Sequence, residues 1–254
     1  MGFARQICLL YTWFVASAQV PEWIYGRCDD KYRVYSRRAF GPWMISAVNE
    51  ELLQLIKFMP RDKHYADIFC GAAGIHKELQ TRGLKGNAFD RRTKDASEDI
   101  CKRPGLLYMA HMCVDVMPGG IVNFAPQCST WGNMAIGHTK RGRDPDSIEG
   151  DTSRLDVREG NFTAEILSWL IQILAVLGIW VVVENPLGSM LYHMQCMSKA
   201  IANLSLQRVV TCLGAFGAAS EKPLEIYTNV PNHSYIKRTK EEAHKKWHTA
   251  QTNQ

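Results

Sequence analysis

Short apolar runs alternate along the chain with segments whose apolar residues follow helical spacing. Runs of strand type occupy 65–69, 86–89, 121–125, 179–183, 208–213 and 224–228. Segments of helical spacing occupy 43–59, 75–81, 106–116, 162–177 and 190–203. This order predicts an α/β domain with a Rossmann-like, doubly wound and mostly parallel sheet. Because no helix separates the last two runs, we expect them to form a hairpin whose edge strand runs antiparallel.

The same pattern divides the chain into three parts. Residues 41–232 carry the α/β pattern as one domain, and residues 233–254 form a charged tail. In the leader, residues 1–40, Arg5 precedes an apolar run over 7–15, and Ala16-Ser17-Ala18 follows it. This is the form of a signal peptide, and a buried or amphipathic segment is the alternative. The run is too short to span a bilayer, so we expect no integral membrane span.

Composition narrows the class of protein only slightly. The chain has 254 residues, of which 46% are hydrophobic, and this suits a domain with a sizeable core. Its formal net charge of +5 is compatible with a nucleic-acid partner and equally with an ordinary soluble protein. The cysteines stand at 8, 28, 70, 101, 113, 128, 196 and 212. Since none of them forms a C-x-x-C pair, we expect reduced thiols and no metal site.

A glycine-containing turn follows the first predicted strand. The segment Asp67-Ile-Phe69-Cys-Gly71-Ala-Ala-Gly74 lies between a strand and a helix, where backbone N–H groups can approach a ligand closely. Asp90 ends the next strand, and a carboxylate there can accept hydrogen bonds from ribose hydroxyls. Ala73 interrupts the full G-x-G-x-x-G pattern, and an ordinary turn would also explain the glycines. Together with Asp90, the pattern favours a nucleotide-like cofactor.

Two later strands are followed by side chains that can carry chemistry. Cys128 comes just after the run 121–125, where a thiolate could act as a nucleophile and a buried structural cysteine is the alternative. Glu184 follows three valines and precedes Asn185 and Pro186. Because an unpaired carboxylate is costly inside a core, we expect Glu184 to face the crevice at the strand ends.

In their order, these stretches resemble the DNA cytosine-5 methyltransferase family over residues 62–230. The segment from Asp67 to Gly74 is similar to the family's cofactor loop, and Asp90 to its ribose-binding acid. Pro126-Gln-Cys128 resembles the Pro-Cys motif, Glu184-Asn185 the Glu-Asn-Val motif, and the stretch from Lys222 to Asn229 a later strand. The resemblance implies a class I methyltransferase fold and S-adenosylmethionine as the cofactor. The implied cofactor contacts are Asp67, Phe69, Gly71, Gly74, Asp90 and Pro126.

The resemblance also implies a mechanism on nucleic acid. Cys128 would add to C6 of cytosine, Glu184 would bond to N3, and Asn185 would shape the pocket. A thiolate that adds at C6 makes C5 electron-rich enough to accept a methyl group. The basic loop after Cys128 contains Lys140, Arg141 and Arg143, and we expect these cations to meet phosphates. A solvated charged loop is the alternative.

The sequence departs from the family at several points. Gln127 stands in place of a proline, Pro186 in place of a valine, and the Arg-x-Arg element expected near 220–226 is missing. The tail at 233–254 leaves no room for a target-recognition domain, so we expect a separate protein to supply recognition of the nucleic acid, taken to be DNA. We expect a location in the nucleus or cytoplasm, or in the secretory pathway if residues 1–18 are a signal peptide.

Two other functions stay open at this point. One is a catalytically inactive pseudoenzyme that binds cofactor or nucleic acid. The other is a methyltransferase for a different substrate, with Cys128 as a structural residue. A nicotinamide dehydrogenase is a weaker alternative, because the glycine motif is incomplete and no catalytic Tyr-x-x-x-Lys is visible.

Overall fold

The computed structural model describes residues 56, 59–91, 98–216, 222–239 and 241–242. Six strands form one mixed sheet in the order β2-β1-β3-β4-β6-β5. Their bounds are β1 Lys63–Ile68, β2 Gly86–Phe89, β3 Val116–Phe124, β4 Trp180–Pro186, β5 Gln207–Cys212 and β6 Pro223–Thr228. Strands β1 to β4 pair in parallel, and β6 runs antiparallel to both of its neighbours.

Helices connect the strands within the described residues. Their bounds are α1 Gly74–Thr81, α2 Arg103–Val114, α3 Ile136–Thr139, α4 Leu155–Val176 and α5 Gln195–Asn203. Turns of 3₁₀ helix occupy Asn133–Ala135, Met190–His193, Leu213–Phe216 and His233–Ile236. The order of strands and helices and the mostly parallel sheet are compatible with a Rossmann-like fold.

Each face of the sheet has its own core, because successive strand residues point to opposite faces. On one face, residues such as Ala66, Val122 and Val183 pack in the same cluster as the buried sides of α2, α4 and α5. On the other face, Tyr65, Ile121, Val182 and Ile226 cluster with Leu79 of α1 and with Ile236. Helices on both faces confirm the predicted α/β class of the fold.

The predicted hairpin forms, but the strand that runs against the rest of the sheet is β6 and not the edge strand, so that part of the prediction is wrong. β6 pairs with β4 from Val182↔Thr228 to Pro186↔Leu224 and lies between β4 and β5. The edge strand β5 therefore runs in the same direction as β1 to β4. The hydrophobic pattern of a strand records which face is buried, and it does not record which strand becomes its neighbour.

Two predicted boundaries also move. β3 begins at Val116 instead of 121, because Val116 pairs with Lys63 and the register shifts before Tyr65 pairs with Ile121. A Cβ atom at Gly120 would lie 2.6 Å from the carbonyl oxygen of His64, so the glycines accommodate a bulge inside the strand. Helix α4 begins at Leu155, well before the predicted start at 162.

Several predictions concern residues outside the described part of the chain. The leader 1–40, most of the predicted helix 43–59 and most of the tail after 239 belong to this group. Six cysteines lie in the described part, and all six are free thiols. No helix among the described residues combines the length and the apolar character needed to cross a membrane.

Candidate functional site

The carboxyl ends of β1, β3 and β4 meet at one edge of the sheet. Ile68 pairs with Phe124, and Phe124 pairs with Val183, so these parallel strands end side by side. The backbone N–H of Ala125 donates to the carbonyl oxygen of Ile68 at 3.0 Å. The three segments that the sequence singled out therefore leave the sheet at neighbouring points, where open α/β sheets hold their ligands.

The glycine turn after β1 has an unusual backbone. Phe69, Gly71 and Ala73 have φ values of 61°, 56° and 53°, all in the left-handed region. This conformation costs about 1–2 kcal/mol for a residue with a Cβ atom, so Phe69 and Ala73 must be held by their surroundings. The N–H groups of Phe69 and Cys70 both donate to the carbonyl oxygen of Phe89, at 2.7 and 3.2 Å. The end of β2 thus fixes the turn.

The surface of this turn faces open space. A Cβ atom added at Gly71 or Gly74 would meet no atom within 4 Å. The first residue of α1 is Gly74, and no side chain of Ala73 caps the helix start. The turn therefore leaves room for a ligand next to the amino end of a helix, which favours negative or polar groups.

Asp90 follows β2 and supports the turn directly. Its Oδ2 accepts a hydrogen bond of 2.7 Å from the N–H of Gly71, and its own N–H donates to Oε2 of Glu98 at 2.9 Å. The side chain is 8% exposed. Asp90 thus holds Gly71 in place, beside the open side of the turn, and the resemblance assigns it to ribose.

Asp67 lies under the turn and is buried. Its Oδ1 accepts a hydrogen bond of 3.0 Å from Nδ2 of Asn123, and its Oδ2 accepts one of 3.3 Å from the N–H of His76 in α1. Burial raises the pKa of Asp67 to about 6, and the two hydrogen bonds oppose that rise. Asp67 therefore joins β1, β3 and α1, and it has no exposed surface with which to meet a large ligand.

A hydrogen bond connects the Cys128 loop to the end of β4. Nδ2 of Asn185 donates to the carbonyl oxygen of Pro126 at 3.1 Å. Both residues are buried, whereas Gln127 is exposed and Cys128 is half-buried. The carbonyl oxygen of Cys128 accepts from the N–H groups of Trp131 and Gly132, at 3.0 and 3.1 Å. Cys128 therefore lies in an ordered turn at the same edge as Glu184.

Glu184 is half-buried on the face of the sheet that also contains Asp67 and Asn123. Glu184 pairs with Ile226 on β6. Two residues earlier along β4, Val182 pairs with Asn123 on β3. Burial raises the pKa of Glu184 to about 7; the positive charge of Lys222 opposes the rise, and the charge of Asp67 adds to it. Glu184 consequently exchanges a proton near neutral pH, which suits a group that bonds to a titrating ring nitrogen.

The three cations of the basic loop have different environments. Lys140 and Arg143 are exposed, and Nη2 of Arg143 would lie 3.7 Å from a Cβ atom at Gly188, just beyond β4. Arg141 is 1% exposed, and its guanidinium donates to protein oxygens only. The prediction that Arg141 contacts a phosphate is therefore wrong. The positions of basic residues along a loop do not show which of their side chains points into the core.

Two residues of the site were missed by the sequence reasoning. Asn123 interrupts the apolar run 121–125, and this single amide in a buried strand was the available signal. Trp131 lies near Cys128 and is fully buried, and nothing in its local pattern separates it from an ordinary core residue. The described residues include no group of three His, Cys, Asp or Glu side chains that could hold a metal ion.

Comparison of the chain with protein-family models, curated proteins and solved structures found no match.

Proposed function

We propose that this protein is an S-adenosylmethionine-dependent methyltransferase that acts on C5 of cytosine in nucleic acid. Cys128 is the nucleophile, and Glu184 is the partner of N3. The observation that carries the proposal is the hydrogen bond between Asn185 and Pro126 at 3.1 Å, which joins the thiol's loop to the glutamate's strand. The glycine turn after β1 leaves the sheet at the same edge.

The strand order supports a class I methyltransferase fold. β6 is antiparallel and lies between β4 and β5, near one edge of an otherwise parallel sheet. This reversal agrees with the fold that the sequence resemblance implies. The face covered by α1 and the face covered by α2, α4 and α5 leave the carboxyl ends of β1, β3 and β4 as the ligand side.

The residues around the glycine turn fit the proposed cofactor. Gly71 and Gly74 leave open space where a Cβ atom would stand, so a ligand can approach the backbone closely. Asp90 lies at the end of β2, and its carboxylate can accept hydrogen bonds from ribose hydroxyls. Phe69 is half-buried in the same turn, and the resemblance assigns both Phe69 and Pro126 to the cofactor. The cofactor, when bound, supplies the methyl group as an electrophile.

The chain's own residues would then activate the base. The thiolate of Cys128 forms a bond to C6 of cytosine, and the electron density moves to C5, which takes the methyl group. Glu184, whose pKa lies at about 7, can present a proton to N3 and offset the charge that develops in the ring. Transfer of the C5 proton to water then re-forms the ring double bond and expels the thiolate, and Glu184 takes back the proton that it presented to N3.

Asn185 would shape the pocket through the Cys128 loop. It is 2% exposed, and its Nδ2 donates to the carbonyl oxygen of Pro126 at 3.1 Å, so it acts on the position of this loop without touching the base. The exposed side chains of Lys140 and Arg143 would neutralise phosphates of the nucleic acid, which we expect to be DNA. A separate protein would supply target recognition. We place this activity in the nucleus or cytoplasm.

Covalent trapping tests the function. A 5-fluorocytosine oligonucleotide, as DNA and as RNA, is incubated with the full chain and S-adenosylmethionine, and the adduct is detected by denaturing electrophoresis. Fluorine at C5 cannot leave as a proton does, so the thiol–C6 bond persists. We expect an adduct with the unchanged protein and with Cys196→Ser, a control at another half-buried thiol, and none with Cys128→Ser.

Other outcomes decide between the alternatives. An adduct that persists in Cys128→Ser would remove Cys128 from the chemistry. Cofactor binding in calorimetry without any adduct, on either nucleic acid, would favour a cofactor-binding pseudoenzyme or a methyltransferase for another substrate. Absence of cofactor binding would reject the methyltransferase proposal as a whole.

A further inference from the structure

Arg141 is a buried cation surrounded by neutral acceptors. Its Nη1 donates to the carbonyl oxygens of Ile148 and Glu149 at 2.8 and 3.2 Å and to Oδ1 of Asn161 at 2.7 Å. Its Nη2 donates to the carbonyl oxygen of Val157 at 3.1 Å. Among the described residues, no carboxylate lies within ion-pair distance of this guanidinium.

This arrangement is costly for a residue that only fills space. Burial lowers the pKa of Arg141 to about 10, so the guanidinium still carries its charge at neutral pH. A buried charge without a counter-ion is tolerated only when several hydrogen bonds replace its hydration. The planar fork of arginine donates to acceptors on separate segments at once, and an apolar side chain of the same volume could not do so.

The guanidinium also contacts the segment that carries Cys128. Its Cζ atom lies 3.6 Å from the centroid of the Trp131 ring, and Trp131 is 1% exposed. The N–H groups of Trp131 and Gly132 hold the carbonyl oxygen of Cys128. The carbonyl oxygen of Trp131 in turn accepts from the N–H of Met190, beyond β4, at 2.9 Å. Trp131 is therefore the link between the Cys128 turn, Arg141 and the segment that follows Glu184.

The packing around this contact leaves little freedom. A Cβ atom at Gly160 of α4 would lie 2.8 Å from Oγ1 of Thr130 and 3.1 Å from Nη2 of Arg141. A Cβ atom at Gly150 would lie 2.7 Å from Cγ of Arg141. The side chain of Arg141 is thus enclosed between the loop that it closes and the first turns of α4. A displacement of the guanidinium must move Trp131 or the loop.

We propose that Arg141 is a positioning residue for Cys128: it clamps Trp131 and thereby fixes the turn that presents the thiol. The inference rests on the proposed function for the role of the thiol, but the clamp itself is a property of the fold. Arg141 acts through Trp131 and does not touch the substrate. The loop 142–150 is closed by the same guanidinium, so clamp and loop open together.

Site-resolved alkylation tests the clamp without any substrate. The full chain is treated with iodoacetamide over a range of pH, and the modified cysteines are quantified by mass spectrometry. In Arg141→Met we expect the Cys128 rate to rise roughly tenfold, because the turn opens locally. Cys113 is fully buried, and an unchanged Cys113 rate reports that the core stays folded.

Arg158→Met is the matched control. Arg158 donates to the carbonyl oxygens of Thr152 and Ser153 at 2.9 and 2.8 Å, so it also bridges backbone near α4 but has no contact with Trp131. We expect it to leave the Cys128 rate and its pH profile unchanged. A Cys128 rate that is the same in folded Arg141→Met as in the unchanged protein would overturn the proposal.

A milder variant decides the case in which Arg141→Met does not fold. Arg141→Lys keeps the cation over Trp131 but can donate fewer hydrogen bonds and lacks the planar fork. We expect an intermediate rise of the Cys128 rate with Cys113 unchanged, and an unchanged Cys128 rate would again overturn the clamp.

Trapping adds a functional readout. Adduct formation with 5-fluorocytosine should fall at least roughly tenfold in Arg141→Met, while affinity for S-adenosylmethionine stays within about twofold. Alkylation and trapping then move in opposite directions, which general damage to the thiol would not produce. If the unchanged protein forms no adduct but the alkylation rates change as expected, the clamp stands and the methyltransferase proposal fails.

Discussion

At the scale of single residues, the site contains two carboxyl groups whose pKa values burial raises. Asp67 and Glu184 lie on the same face of the sheet, and burial raises the pKa of both, to about 6 and about 7. Asn123 donates to Asp67 and lies between β1 and β4, while its own Oδ1 is buried without a partner among the described residues. Buried polar side chains of this kind reduce the stability of a core, and for this reason they are concentrated at functional sites.

Glu184 gives the fold a dependence on pH that can be measured. Its pKa is raised in the folded state, so the stability that its protonated form contributes is complete below about pH 4.5 and is lost as the pH rises through about 7. In Glu184→Gln this loss is absent. We expect the free energy of unfolding of the variant, relative to the unchanged protein, to increase by on the order of 2 kcal/mol between pH 4.5 and 8.

Urea unfolding at several pH values measures this difference. The contribution of Asp67 is present in both proteins and cancels to first order. Glu241→Gln, at an exposed site, serves as the control and should track the unchanged protein at every pH. Parallel curves for Glu184→Gln and the unchanged protein would show that Glu184 is as well solvated in the folded chain as in the unfolded one.

At the scale of elements, the loops at the carboxyl edge are built for different tasks. The turn between β1 and α1 leaves open space over its glycines, although three of its residues have left-handed backbone. The loop between β3 and α4 is filled by Arg141 and Trp131 instead. One loop thus has open space over its glycines, and the other is packed around the turn that contains the proposed nucleophile.

Gly74→Ala separates binding from folding at the first of these loops. The new methyl group meets no atom within 4 Å, and Gly74 has an ordinary helical backbone, so the free energy of unfolding should stay constant or rise by up to about 1 kcal/mol. The methyl group occupies the space proposed for the cofactor, so affinity for S-adenosylmethionine should fall at least roughly tenfold.

Gly137→Ala is the matched control for that change. A methyl group added at Gly137 would also lie in open space, but Gly137 belongs to α3 and not to the turn after β1. Its substitution should leave calorimetric affinity unchanged. Equal affinity of the Gly74 variant and the control would mean that the cofactor does not approach the start of α1.

At the scale of the whole molecule, a ligand in this crevice connects strands that are distant in sequence. Asp90 after β2 holds the turn after β1, and the loop after β3 begins beside the end of β1. Binding to the folded form alone therefore stabilises the entire domain by mass action, by about 2.7 kcal/mol when the ligand is at a hundredfold its Kd.

Asp90 should control that stabilisation. We expect Asp90→Ala to weaken binding of S-adenosylmethionine by about 1–3 kcal/mol and to reduce the rise in melting temperature on ligand addition. Asp90→Asn keeps an oxygen that can accept from the N–H of Gly71, so it should keep the stability of the free protein while its affinity lies between the other two. Calorimetry and thermal melting with S-adenosylmethionine and S-adenosylhomocysteine measure both quantities. Unchanged affinity of a folded alanine variant would remove Asp90 from the binding site.

The sequence by itself determined the α/β class of the fold and the elements that carry the site. Periodicity is a local property, so the apolar runs 65–69, 86–89 and 179–183 predicted strands without knowledge of their neighbours. Because parallel strands present their carboxyl ends at one edge, the sequence also indicated that Cys128 and Glu184 would lie near each other. That a thiol and a glutamate carry the chemistry stays a prediction.

Only the tertiary structure decided the features that depend on distant partners. Backbone hydrogen bonds place β6 between β4 and β5. An order with β5 next to β4 would bury the same side chains, so the hydrophobic pattern cannot distinguish the two orders. Arg141 turns inward because Trp131, Asn161 and three carbonyl groups converge on it from separate segments. A local pattern cannot record such convergence, and for this reason the charge that the sequence assigned to a phosphate instead holds the loop of the proposed nucleophile.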